Sequence, residues 1–240
     1  MTQGRGSGGR ARGRAPKPSG RTPKRAASPR RSVSPDPAPA PLAPGVLRLG
    51  AVPGATPGRW IDRWNERMPR IALELVPLEA DDARRALDER RVDAAIVRRP
   101  IDETGLHVIP LYDEVPVVVV SVDSELTVVD ELTPDDLAGS VVLVPRDDVL
   151  GPLDLPGTVA PSFEPLETTA DAIATAATGV GVVVVPMSLA RLHHRRDVTY
   201  RPLAGGPLSP VAFAWLRDRD GDDVQALVGI IRGRTANSSR

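Results

Sequence analysis

The sequence predicts an α/β fold in two lobes, joined by two crossings of the chain, and three observations predict it. Between Val46 and Arg99, apolar strand-like runs alternate with helix-like segments. From Asp171 to Met187, DAIATAATGVGVVVVPM carries a small-residue helix through Gly179-Val180-Gly181 into a fully apolar strand closed by Pro186. Only 3% of the residues are aromatic, so the core must come from Val, Leu, Ile and Ala, the usual supply for a parallel sheet covered on both faces.

Each element has a local reason. Val46 to Ala51 is a short apolar run, after which Thr56 and Pro57 offer an N-cap and a first-turn proline to a helix with Trp60, Ile61, Trp64 and Met68 on one face. Pro69 stops that helix. Ile71 to Val76 alternates as a strand, Asp81 or Asp82 can cap a helix reaching Arg91, and Val92 to Val97 is a third strand. Such a βαβαβ order implies a parallel sheet with right-handed crossovers. Strands follow at Leu106 to Leu111 and Val115 to Ser121, the latter expected to make the first crossing. The second lobe then holds a short helix at Thr133-Pro134, a strand Val141 to Val144, a helix from about Thr169 to Thr178, a strand Val182 to Val185 and a helix after Pro186. The chain returns near Leu203, adds a strand Val211 to Leu216, and closes with an amphipathic helix, Asp222 to Ile231, whose acidic start suits its dipole. Lobe I is expected over 46–117 and 205–232, lobe II over 118–204, and a polar tail over 233–240.

The formal net charge of zero conceals a division. Residues 1–45 hold ten Lys or Arg against one acid, Asp36, which leaves 21 bases and 30 acids in the rest of the chain. That first segment is rich in Gly and Pro and lacks hydrophobic periodicity, so it is expected to be disordered. Its arginines suit either a solubilising tail or non-specific DNA or RNA contact by counterion release. The absence of cysteine excludes disulfides and thiolate chemistry. The basic start does not continue into an apolar signal core, and no apolar run approaches the roughly 20 residues needed to span a bilayer. A cytoplasmic protein without membrane contact is expected.

In open parallel sheets, strand carboxyl ends and helix N-termini face a common crevice and favour anions. Here those ends are Pro53, Gly54, Ala55 and Thr56 after the first strand, Arg98 and Arg99 after the third, Pro145 and Arg146 after a second-lobe strand, and Thr168 and Thr169 before its central helix. Alternation sends only one of Arg98 and Arg99 into the crevice. Thr56 is either an ordinary cap or a ligand contact, Arg146 either a ligand partner or paired with Asp147 and Asp148, and one of Thr168 and Thr169 caps the helix. Gly179-Val180-Gly181 lies between helix and strand, which makes it a helix stop and not a dinucleotide fingerprint. No acid-base constellation surrounds His107, His193 or His194, and adjacent histidines diverge on a helix, so neither catalysis, nor a metal site, nor a cofactor is expected.

Together, the stretches Val46 to Arg99 and Asp171 to Met187 resemble the effector-binding domain of LysR-type transcriptional regulators, over roughly residues 46–232. The resemblance implies a two-lobed, periplasmic-binding-protein-like (type 2) fold that closes on a small-molecule effector, expected to be anionic, such as a carboxylate. It implies effector contacts at Thr56, Arg98, Pro186 and Met187. It also implies dimers formed through the helix Arg59 to Met68 and a second-lobe helix such as Met187 to His194, either between two copies or with a full-length regulator. The family normally carries a winged helix-turn-helix, which residues 1–45 are not expected to form. Alternative uses of the same scaffold are a transport-type solute-binding protein, an enzyme such as a small-acid dehydratase, or a nucleic-acid-binding protein acting through its basic tail.

Overall fold

The structure, a computed structural model, describes residues 45–233. The readings made on residues 1–44 and 234–240, the basic segment's disorder and phosphate contacts among them, lie outside the described residues. Two sheets form, one in each lobe. The first is built from β1 (Val46–Ala51), β2 (Ala72–Pro77), β3 (Ala94–Arg98), β4 (Leu106–Glu114) and β8 (Ser209–Leu216), in the order β2-β1-β3-β8-β4. Helices α1 (Gly58–Arg67), α2 (Ala83–Asp88) and α5 (Asp222–Ile231) pack on it. The second holds β5 (Pro116–Ser121), β6 (Val183–Pro186) and β7 (Val198–Pro202) in the order β6-β5-β7, with α3 (Thr169–Ala176) and α4 (Met187–Leu192) against one face. The chain leaves the first sheet at Val115, between β4 and β5, and returns between β7 and β8. These are the two crossings.

Strict alternation along the buried strands makes the layers. In β3 and β8, Ala94, Ile96, Val211, Phe213 and Trp215 meet Trp64 of α1 and Val224, Leu227 and Val228 of α5. Ala95, Val97, Ala212 and Ala214 face the other way, where Ala83, Ala86 and Leu87 of α2 pack. Bulky residues on one face and small ones on the other set a wide layer under α1 and α5 and a narrow one under α2. In β5, Val117 and Val119 join Ile173, Ala176 and Leu189 on one side, while Val118 and Val120 join Leu132, Leu137 and Val184 on the other. Both faces are covered, which is why Val117–Val120 and Val182–Val185 read as unbroken apolar runs.

Several expectations are corrected. The βαβαβ unit is parallel as expected, β1 pairing with β2 and β3, but the sheet does not go on in parallel: β8 is antiparallel to β3 and β4, and β5 is antiparallel to both β6 and β7. An apolar run covered on both faces carries no signal of strand direction, so the sequence could not separate the two pairings. Pro57, not Thr56, occupies the N-cap of α1, and no side-chain cap bond forms there. The second helix stops at Asp88, because Arg90 adopts a left-handed φ of 55° and breaks the run toward Arg91. Val141 and Val142 contribute isolated parallel bridges to Val159 and Val182 in place of a full strand. The strand β7 was not read from the sequence, although Val198, Thr199 and Tyr200 have the branched and aromatic side chains that suit one.

Candidate functional site

Where the lobes meet, a cavity of about 520 Å³ is lined by Pro53 and Arg98 from the first and by Arg146, Thr168 and Thr169 from the second. Five of the residues expected to hold a ligand are thereby brought together. The local causes are those of the sequence reading. Pro53 follows β1, Arg98 ends β3, and Thr168 caps α3 by accepting the Asp171 amide at 3.1 Å on its hydroxyl. Thr169 is buried and donates its hydroxyl to Asp147 at 2.9 Å. The first amides of α3 have no partner within the helix, so that end presents donors and partial positive charge.

A second cavity, of about 540 Å³, is lined by Gly54, Ala55, Thr56 and Met187, together with Tyr112, Glu114 and Ser188. Burial pushes the Tyr112 phenol above its ordinary pKa, and the negative charge of Glu114 adds to the shift. Arg99 points away from both cavities in register with the expected alternation and pairs with Glu103 at 2.7 Å. Pro145 is buried and lines a third, largely aliphatic cavity of about 600 Å³ formed by Val142, Val144, Leu153, Leu155 and Val159. Pro186 is buried at the end of β6, opposite Pro116, and lines none of the three cavities.

Between the first two cavities lies a polar cluster that sequence reasoning missed. Arg98, 7% exposed, donates from Nη1 to Glu114 Oε2 at 3.0 Å and to Ser209 Oγ at 2.9 Å, and from Nη2 to the Pro53 carbonyl at 3.1 Å and Ser188 Oγ at 2.9 Å. Ser188 in turn donates its hydroxyl to Glu114 Oε2 at 2.6 Å. Glu114 is 8% exposed, so the ion pair is screened from water. Among the described residues, Arg98 Nε is the buried side-chain polar atom left without a partner. The sequence signal was faint: an acid closing β4 and a serine opening β8, with no motif to join positions so far apart.

The charge of the interlobe cavity differs from what two arginines suggested. Arg98 is neutralised by Glu114, and Arg146 pairs with Glu167 at 3.0 Å rather than with Asp147 or Asp148. Glu79, Asp81, Asp147, Asp148 and Glu167 all line the cavity, against Arg98, Arg146 and His193. Its wall therefore carries more acid than base, while Arg98, Arg146 and the start of α3 bring donors to it.

The family model described as the LysR substrate binding domain matches residues 42–236. Among curated proteins, the transcriptional regulator MetR of Escherichia coli K12 is 23% identical over 163 residues, 66% of this chain and 51% of MetR. The Hca operon activator HcaR of the same organism is 25% identical over 209 residues, 80% of this chain and 68% of HcaR. The chain spans about half the length of MetR. Among solved structures, the effector-binding domain of BenM with its effector benzoate gives a TM-score of 0.65 at 20% identity, covering 79% of this chain and 94% of that one. The reduced OxyR regulatory domain of Pseudomonas aeruginosa gives 0.61 at 24% identity, covering 78% and 96%. The fold and the extent of the family match agree: this chain belongs to the LysR substrate binding domain family, whose matched curated members are regulators of transcription.

Proposed function

We propose that this domain senses a small-molecule effector in the 520 Å³ interlobe cavity and passes its occupancy to transcription through a change in lobe closure. The observation that carries the reading is a single cavity walled by both lobes and containing Pro53, Arg98, Arg146, Thr168 and Thr169. An occupant touching both walls binds the closed arrangement better than the open one and shifts the population accordingly. The BenM domain, which shares the fold, is described with a carboxylate, benzoate, as its effector.

The effector of this domain carries a carboxylate and an amino group. Arg146 and the N-terminus of α3 supply donors for a carboxylate oxygen, while the excess of acids, Glu79 and Asp81 on one wall and Asp147 on the other, opposes a bare anion and favours a cationic group beside it. A thermal-shift series tests this with three matched compounds: an α-amino acid, the acid lacking its amine and the amine lacking its carboxylate. Ligand that binds only the folded state stabilises by RT ln(1 + [L]/Kd). Across a panel of side chains, the amino acid is expected to raise Tm more than either partner. A larger shift from the deaminated acid throughout would remove the amine, and no shift with any compound would remove the site.

The reading places the domain in the cytoplasm, paired either with a second copy or with a full-length regulator. Pairing through α1 and a second-lobe helix such as α4 is supported by Ile61, half-buried outside the core cluster, and by Leu192, which is exposed at the end of α4.

A further inference from the structure

Four of the five groups around Arg98 and Glu114 belong to the first lobe, and the fifth comes from the second. Pro53, Arg98, Glu114 and Ser209 sit at the ends of β1, β3, β4 and β8, whereas Ser188 lies in α4, whose Leu189 and Ala190 are packed into the second-lobe core. Ser188 Oγ accepts from Arg98 Nη2 at 2.9 Å and donates to Glu114 Oε2 at 2.6 Å, so one hydroxyl is held by both members of a buried ion pair. Both bonds are charge-assisted, because each joins the hydroxyl to an ionised group.

The backbone is shaped to allow this approach. A Cβ at Gly54 would fall 2.3 Å from Ser188 Oγ and 2.9 Å from Ser188 Cβ, and Gly54 has a φ of +85°. Any side chain there would push the first-lobe loop off α4. Glu114 immediately precedes the crossing residue Val115, whose carbonyl accepts the Met187 amide at 3.1 Å. The contact therefore ties α4 to the end of β4 right beside the crossing, where it holds the strand that leads into the second lobe against that lobe's helix.

We propose that Ser188 is a latch: by bridging Arg98 and Glu114 across the hinge it fixes the angle between the lobes in the unliganded protein. The same arginine borders the interlobe cavity, so an occupant that packs against Arg98 meets one member of the latch directly. Resting on the interlobe site proposed above, occupancy adds contacts between lobes that Ser188 already joins and shifts the population further toward the latched angle.

The chain has no cysteine, which permits one probe to be placed in each lobe. Thr104→Cys between β3 and β4 and Thr178→Cys after α3, both exposed, carry nitroxide labels in the full chain diluted with unlabelled protein, and double electron–electron resonance reads the distance within one copy without any ligand. The parent protein is expected to give one narrow distribution. Ser188→Ala broadens it and raises the population of open distances by about tenfold, as the loss of a charge-assisted contact requires. Arg98→Lys keeps the charge but loses the forked reach to Ser188, and broadens it likewise. Ser209→Ala removes a contact to the same Arg98 from within the first lobe and leaves the distribution narrow. Circular dichroism on every variant verifies the fold. The latch is overturned if Ser188→Ala leaves the distribution unchanged, or if Ser209→Ala broadens it equally, since the cluster would then be ordinary core polarity.

Discussion

At the scale of single residues, the value of a charge here depends on its surroundings. Arg48 and Glu74 pair at 3.3 Å with both side chains open to water, while Arg98 and Glu114 pair at 3.0 Å inside the protein. Removing one member of a buried pair strands the other, at a cost of about 3–5 kcal/mol. Breaking an exposed pair costs about 0–1 kcal/mol. Urea denaturation of Glu114→Ala is therefore expected to show a loss several times that of Glu74→Ala. Equal losses would mean that water reaches the Arg98 cluster. The expected site residues divide along the same line. Arg98, Thr168 and Thr169 were legible because each ends a strand or starts a helix, and such ends converge in an open sheet. Glu114, Ser188 and Ser209 were not, because what unites them is a buried guanidinium contacted from points up to 111 residues away.

At the scale of elements, termini and close approaches decide the outcome. Helix α5 was legible to the residue, since its acids precede an apolar periodic run. The sequence hid how firmly that start is clamped. Arg219 donates to Asp223 and to Asp93, and Arg219 holds the Asp223 carboxyl below the ordinary aspartate value of 3.8. A carboxylate whose folded pKa is depressed stabilises the protein above the unfolded value and ceases to do so as the pH falls through the folded one. The melting temperature is thus expected to drop progressively as the pH is lowered below about 4. Asp223→Asn should melt lower near neutrality and show a shallower acid slope; parallel slopes would remove Asp223 from the account. Elsewhere, Gly179-Val180-Gly181 was read as a helix stop capped by Gly179; the helix closes earlier, with Ala177 as its cap, and Gly179 follows in the turn with a φ of +78°. Gly181 has a reason that only the fold supplies, because a Cβ there would lie 2.4 Å from the Val141 carbonyl oxygen. Strand direction, in contrast, left no trace in β5 and β6, whose valines are covered on both faces.

At the scale of the whole molecule, two separate cores are joined by two passages of chain and by the Ser188 contact. The alternation of strands and helices made the two lobes legible, and the small-residue helix before β6 made the second one recognisable. The acid excess in the cleft was not legible, since it depends on which arginines are already matched. The scarcity of aromatic side chains has a practical corollary. Trp60, Trp64 and Trp215 all belong to the lobe containing α1 and β8, so tryptophan emission, excited beyond the tyrosine band, is a one-sided optical gauge, blind to the half built on β5. Far-ultraviolet ellipticity sums both halves. Followed together through a denaturant titration, the two signals are expected to part, with fluorescence marking one melting step and ellipticity two; superimposed curves would mean that the halves come undone as a unit.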